Sequence, residues 1–427
     1  HGAHAEGGMG PVLAGAVPGF EVMRERVRNG STAMPAFGPD RLSDDALRDV
    51  HAWLLLQPKP SAPGPNPDLI EVPRGVDVAV VAHGLKNPVA LAWGPKSMTG
   101  AAVELYVSTN GGWYPGPKAK SGAIYRIDAH GDKHLFVDGL DRPMGMVWVG
   151  HKLYVSTRTQ VSLFADADGD GRGERERVIV DDLPGRGMHH AAGIVLGPDQ
   201  RLYLGMGTRT NAESEGEAEY NGTILSFGLD GTDLRVFARG FRNPFDLAFT
   251  PDGALFATDN AADPPAIEAA VEELNHVVAG AHYGHPFVLG DSVAPGQRER
   301  ALELKPVAPV VKLAPHTSAN GILYYTGKQF PELSGHWLIA EYGSHLKGYT
   351  DAGRCIVVVP DVRNGSPAAA SKPRVETWAS GFVGRPLDLL QGPEGEILVT
   401  DFFQGTILRF FKSTHERQRV RPSKIGE

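Results

Sequence analysis

Five side chains between positions 189 and 385 are of types that do chemistry, and each stands just before an apolar, β-rich run. They are His189 and His190 in "MHHAAGIVLGPDQRLYLGMG", Arg242 and Asn243 in "GFRNPFDLAFTPDG", and Arg385 in "GFVGRPLDLL". An imidazole takes up a proton near neutral pH. A guanidinium presents a fixed planar fork to an anion. A base beside two guanidiniums suits the binding of an anionic cofactor and the removal of a proton. Any one of these residues alone reads as a surface loop residue; recurrence at one offset gives the set its weight.

A second group reads as metal chemistry. "DADGDGRGE" places Asp166, Asp168 and Asp170 at alternate positions with Glu174 beyond. Alternating carboxylates in a Gly-rich loop resemble the first half of an EF-hand loop, because Ca²⁺ takes six or more oxygens. The bidentate glutamate of such a loop is replaced by Arg177, so a solvated acidic turn is the competing reading. Glu272 and Glu273 are weaker candidates. The single cysteine, Cys355, excludes an internal disulfide and any Cys-based zinc site.

These residues need elements to hold them. The 427 residues include 53 Gly and 33 Pro, a proportion that suits short strands and turns better than helices. Six copies of one unit recur, each an apolar strand, a Gly/Pro/Asp turn and a second strand: 84–110, 139–157, 189–207, 240–260, a looser copy from His316, and 381–401. Their spacing leaves room for four strands apiece. The fold class expected is all-β, a six-bladed β-propeller, with "VDVAVVAH" completing the last blade. A β-sandwich would not repeat one turn signature six times. In a propeller the loops entering the innermost strands meet at one mouth of the channel, where all five side chains belong. The net charge of −8 argues against a nucleic-acid partner. No apolar run approaches the length of a membrane span.

The first residues read differently. Ser43 is a good N-cap, Asp44 and Asp45 suit a first helical turn, and Leu47, Val50, Trp53 and Leu54 recur on one face. "PKPSAPGPNPD" then reads as a semi-rigid extended linker. The expected organisation is a small partial domain over 1–57, a linker over 58–70 and the propeller over 71–427.

"HHAAGIVLGPDQRLYLGMGT", "GFRNPFDLAFTPDG", "EELN" and "GRPLDLL" together resemble the soluble PQQ-dependent sugar dehydrogenases, the glucose, aldose and sorbosone dehydrogenase group. "YYTGKQFPELSGHWLIAEYGS" is most similar to the sorbosone and pyranose branch. The likeness runs from about residue 76 to the C-terminus. It implies a PQQ- and calcium-dependent oxidation of a sugar or related alcohol. His189 would be the general base, with Arg242 and Asn243 contacting the quinone and Arg385 the last-blade arginine. The carbonyls of Ala261 and Ala262 would hold Ca²⁺, which with Arg242 would stabilise developing oxygen charge. Two positions depart from the family: its glutamine is Phe245 here and its second last-blade arginine is Leu387. Lys347 is a candidate replacement charge.

Two other classes compete. A six-bladed hydrolase of the lactonase type would hold a metal through acidic and amide side chains, for which Asp246, Asp259, Asn260 and Asp388 are available. A propeller that only binds a partner would explain Phe245 and Leu387 as relics. Histidine and arginine at the mouth favour the anionic cofactor.

The start of the chain resembles a class I cytochrome c. "HGAHAEGGMGPVLAG" is similar to the stretch just after the two haem-anchoring cysteines, making His1 one axial ligand and Met34 in "MPAF" the other. Without those cysteines haem cannot attach covalently to this chain. The expectation is a sequence that starts just after them, with haem c present only in a longer protein. A fused haem suits a quinone that sheds two electrons singly, and otherwise the acceptor would be an external cytochrome or dye. It also points to the periplasm.

Overall fold

Each of the six repeated units becomes a four-stranded antiparallel sheet in the computed structural model of the chain, which describes residues 19–29, 36–56, 67–95, 103–111, 120–211, 219–263, 270–289, 292–344, 352–363 and 373–413. The chain divides into two compact units, His1–Asn66 and Pro67–Glu427.

In the smaller unit two helices are described, α1 (Phe20–Asn29) and α2 (Asp44–Leu56). Ser43 Oγ accepts the Ala46 N–H at 3.2 Å, so α2 starts at the residue suited to cap it. Asp44 pairs with Arg28 of α1 and, at 3.5 Å, with Arg24. Arg28 also donates to the Phe37 carbonyl at 2.8 Å, tying α1 to the chain ahead of α2. The apolar face of α2 is narrower than expected: Leu47 and Leu54 are buried, whereas Val50 and Trp53 are 41% and 46% exposed. Residues 47 and 54 lie about 20° apart around the helix axis, while 53 lies about 120° from 47. α1 has no buried residue, so no apolar stripe announced it in the sequence. His1, Met34 and 57–66 of the linker lie outside the described residues.

The larger unit begins at Pro67. Pro67–Leu69 forms a 3₁₀ turn. Ile70 is buried among blade five and six residues, and Glu71 exchanges backbone hydrogen bonds with Ser380. Residues 67–70, read from sequence as linker, therefore pack with the propeller.

The first strands of the blades are Pro88–Trp93, Gly145–Val149, Ala191–Leu196, Pro244–Phe249, Ala319–Tyr324 and Pro386–Gln391. Each neighbours the first strand of the next blade, and the sixth returns to the first, which closes the ring. Blades one to five take their strands in chain order. Blade six takes its outer strand from the front of the unit, where Val76–Ala82 pairs antiparallel with Thr406–Lys412. Six apolar layers, one between each pair of neighbouring blades, make up the core. In the closing layer Ala82, Leu398 and Ile407 meet Leu91, Leu105 and Val107.

Buried polar side chains stitch even blades to odd ones. Ser156 Oγ donates to the Ala192 carbonyl at 2.5 Å, Thr258 Oγ1 to Asn320 at 2.6 Å, and Thr400 Oγ1 to Val89 at 2.9 Å. Asp246 accepts from the N–H of Leu247 and, across the blade boundary, Ile322 at 3.1 Å. Asp388 does the same with Leu389 and Leu91, the latter at 2.6 Å. Both sit where the register of the first two strands slips, which leaves backbone donors needing an acceptor. All six first strands line a channel cavity of about 210 Å³, Asp246 and Asp388 included. Connections entering a first strand, and those joining second to third strands, open on one face, the mouth. Among the described residues no helix is long and apolar enough to cross a membrane.

Candidate active site

His189 and His190 lead into the first strand of blade three, and successive side chains of an extended segment point to opposite sides. His189 turns toward Thr208, its Nδ1 lying 3.0 Å from the carbonyl and 3.2 Å from Oγ1. Thr208 Oγ1 gives its own hydrogen to the Thr210 carbonyl at 2.7 Å. Both groups facing Nδ1 are thus acceptors, so Nδ1 carries the hydrogen and Nε2 the lone pair. Among the described residues Nε2 has no hydrogen-bond partner. Burial pushes the pKa of His189 well below 6.5, and the nearby Arg242 charge adds to the effect. The imidazole is therefore a neutral base with its lone pair available. Glycine is required at 207, because a Cβ there would overlap His189 and lie 2.8 Å from Asn243 Oδ1.

Asp259, at the end of the second strand of blade four, accepts the backbone N–H groups of Arg242 at 3.1 Å and Asn243 at 2.6 Å. That carboxylate sets the turn from which both side chains project. Arg242 is 4% exposed. Its Nε and Nη2 grip Asn211, the latter at 2.8 Å, while Nη1 donates to the Asn260 carbonyl and Nη2 pairs with Asp263 at 3.2 Å. Asn243 Nδ2 donates to Asn260 Oδ1 at 2.8 Å, and Asn260 in turn donates to the Ala319 carbonyl. Arg242 is a compensated, fixed cation.

Ala261 and Ala262 follow directly. Glu272, 2% exposed, accepts the Ala261 N–H at 3.0 Å and the Ser318 N–H at 3.3 Å. Burial lifts its pKa to about 8. Among the described residues neither the Ala261 nor the Ala262 carbonyl accepts a hydrogen bond. Two adjacent unengaged carbonyls beside an acidic patch fit a hard cation, which takes oxygen ligands. Glu273, 8% exposed, accepts from Asn275 at 3.1 Å.

Arg385 repeats the blade-four arrangement, with Asp401 Oδ1 accepting its backbone N–H at 2.8 Å. Its guanidinium donates to the carbonyls of Tyr342, Gly343 and Ser344 and lies over the Tyr342 ring at 4.9 Å. Phe245 and Leu387, the two departures from the family pattern, fall in one apolar cluster with Val89, Met144, Tyr342 and Phe402. Both positions are thus apolar, Leu387 inside the cluster and Phe245 packed against it.

The four residues available for a hydrolase cage are engaged in holding the fold: Asp246 and Asp388 between blades, Asp259 under Arg242 and Asn243, and Asn260 between Asn243 and Ala319. Asp166, Asp168 and Glu174 converge, with ligand oxygens all within 4.8 Å of one another. Asp170 is not in that group; it caps the Arg172 N–H at 2.7 Å. This loop joins the third and fourth strands of blade two, so it belongs to the face opposite the mouth. Lys347, like His1 and Met34, lies outside the described residues.

Sequence reasoning missed Asn211, which lies in a loop without a motif. It also missed Arg142, although Arg142 precedes Pro143 just as Asn243 precedes Pro244 and Arg385 precedes Pro386.

A family described as "Cytochrome C oxidase, cbb3-type, subunit III" matches residues 1–54. The quinoprotein glucose dehydrogenase B of Acinetobacter calcoaceticus is 29% identical over 139 residues, 25% of this chain and 28% of that protein. The holo form of the pyranose dehydrogenase PQQ domain from Coprinopsis cinerea aligns with a TM-score of 0.64 at 17% identity, covering 82% of this chain and 99% of that one. The calcium structure of the Trichoderma reesei carbohydrate-active enzyme of family AA12 gives 0.65 at 17% identity, covering 81% and 97%. The chain, a six-bladed propeller that shares the fold of these two solved structures and follows a cytochrome-type segment, belongs to the family described as a domain of unknown function (DUF7133), whose model matches residues 65–420.

Proposed function

We propose that the propeller is a PQQ- and calcium-dependent dehydrogenase that oxidises a hydroxyl or hemiacetal of a sugar or related alcohol. The observation that carries this reading is His189: a neutral imidazole with Nδ1–H fixed to Thr208 and Nε2 left free. When bound, the quinone supplies the acceptor for the substrate's hydride. His189 Nε2 takes the hydroxyl proton. Arg242 keeps that imidazole neutral and, with Asn243 and Arg385, forms the polar side of the cofactor site. The carbonyls of Ala261 and Ala262 would hold the calcium, and the apolar cluster of Phe245 and Leu387 gives a flat conjugated ring a surface to lie on. A second calcium is proposed for Asp166, Asp168 and Glu174.

In the longer protein, a haem that His1 and Met34 would hold in the N-terminal domain would accept the electrons; otherwise an external cytochrome or dye would, in the periplasm. Lys347 is kept as a candidate cofactor contact. The N-terminal cytochrome-type segment over 1–54, the linker and the propeller form one electron-transfer chain in this reading.

Titrating the protein with PQQ in the presence of Ca²⁺ tests the core of the proposal. The expected result is a saturable change in quinone absorbance at one equivalent, and dye reduction with members of a sugar and sugar-acid panel. Failure of PQQ to bind, with or without Ca²⁺, would overturn it.

A further inference from the structure

The mouth has a second cationic face, on blades two and three, that the cofactor reading does not use. Arg142 sits before the first strand of blade two. Arg158 follows that blade's second strand, and its N–H donates to the Asp141 carbonyl at 2.9 Å, which holds the two arginines side by side. His190 turns to this side, away from Thr208. The Arg158 carbonyl accepts the Ala191 N–H, and Gly185 packs between Arg158 and His190, where a Cβ would lie 3.1 Å from that of His190.

The two arginines supply the charge; burial and their charges push the pKa of His190 down to about 3, so its imidazole is neutral and serves as a hydrogen-bonding group. Arg142 makes no hydrogen bond or ion pair with a described residue, and Arg158 has only the Gly185 carbonyl, at 3.1 Å, as a side-chain partner. Asp141, the nearest acid in sequence, attracts Arg142 through space without closing an ion pair, and burial and the Arg158 charge outweigh that attraction. His190 Nε2 is buried without a partner. Arg142 also holds a left-handed backbone conformation, φ +53°, which is uncommon for a residue with a side chain. In a protein of net charge −8, two half-buried unpaired guanidiniums beside an orphaned imidazole are a local arrangement rather than a general excess.

We propose that Arg142, Arg158 and His190 form a carboxylate-binding subsite for the substrate, so that the molecule oxidised at His189 is a sugar acid rather than a neutral sugar. This rests on the quinoprotein reading. The position on the ring carries the assignment. The cofactor groups, Arg242, Asn243, Ala261, Ala262 and Arg385, belong to blades four and six, and His189 stands between them and this subsite. A substrate whose hydroxyl meets Nε2 can therefore extend its far end over blades two and three. Arg forks match a planar carboxylate with paired hydrogen bonds.

The test is calorimetric binding of D-gluconate, D-glucose and D-glucose 6-phosphate to the wild-type protein, Arg142→Gln and Arg158→Gln, with PQQ titrated separately into each. The expected result is gluconate binding that weakens about tenfold or more in each variant, glucose binding weaker than gluconate in the wild type, and PQQ affinity changed by less than about twofold. Thermal melting of each variant establishes that it is folded, and Arg142→Lys serves where Arg142→Gln is not. Equal gluconate affinity in wild type and variants overturns the subsite. A preference for the phosphorylated sugar overturns its carboxylate chemistry. Loss of PQQ affinity without loss of gluconate affinity assigns the arginines to the cofactor and overturns the proposal. Wild-type protein that takes up no PQQ would fail the quinoprotein reading instead, a result distinct from all of these.

Discussion

The carbonyl of Thr208, 3.0 Å from Nδ1 of His189, decides which nitrogen of that imidazole can act as a base. His189→Ala should lower turnover by about two to four orders of magnitude, with PQQ affinity nearly unchanged by titration. His190→Ala, whose ring faces the other way, should cost far less turnover. Equal losses from both would remove the assignment.

Arg242 should reveal itself in the pH profile. The base works only when neutral, so activity falls as pH drops through its pKa. Burial and the Arg242 charge both hold that pKa well below 6.5. Arg242→Met should shift the acid limb of kcat/KM to higher pH, while Arg242→Lys, which keeps the charge, should shift it less. An acid limb that stays put in Arg242→Met would mean the two groups are not coupled.

The channel pair should govern stability above neutrality. Burial lifts the Asp246 pKa to about 7, and burial with the Asp246 charge lifts that of Asp388 well above its ordinary value. A carboxyl whose pKa is raised on folding contributes stability that is complete below its unfolded pKa and lost as pH rises through the folded one. Denaturant unfolding should therefore show a weaker protein at pH 8.5 than at pH 6. Asp388→Asn should flatten that slope even though one inter-blade hydrogen bond is lost. A slope unchanged in this variant would place the titration elsewhere.

Much of this was legible in the sequence, and the exceptions have physical causes. The six blades announce themselves because each must turn at the same place, and the strand completing the last blade was readable as a β run without a partner. Arg242, Asn243 and Arg385 stood out because they lie just before an inner strand in motifs with a family resemblance, whereas Arg142 holds the same place in a blade without one. Asn211 did not, because its contact with Arg242 spans 31 residues and depends on the blade-three loop folding over blade four. Val50 and Trp53 are less buried than their spacing implies, because a helical stripe read from spacing ignores how little of α2 is covered. Asp246 and Asp388 looked like metal ligands, yet each answers two backbone N–H groups at a slip in register, which no local pattern encodes.

Calcium should act at two separable places. Its addition should raise the melting temperature of the protein without PQQ, and Asp166→Asn or Asp168→Asn should remove that part while sparing PQQ uptake. If both variants melt and respond to Ca²⁺ as the wild type does, the loop over 166–174 is only an acidic turn.

The N-terminal segment makes its own prediction. A protein carrying a Cys-x-x-Cys pair immediately before His1 should bind haem covalently, and substrate should reduce that haem in the presence of PQQ. Met34→Ala there should lower the haem potential and slow delivery to an external acceptor. Haem that stays oxidised beside a substrate-reduced quinone would break the proposed electron path.

The strand Val76–Ala82 is made first and finds its partner, Thr406–Lys412, last. During synthesis it waits through more than 300 residues, at about 5–20 residues per second, as an unpaired β edge of the composition that favours self-association. Ring closure is thus a race between the ribosome and a neighbouring nascent chain. Expression yield should depend on translation speed and chaperone supply more than on equilibrium stability, and a chain cut short of Thr406 should aggregate rather than fold into five blades.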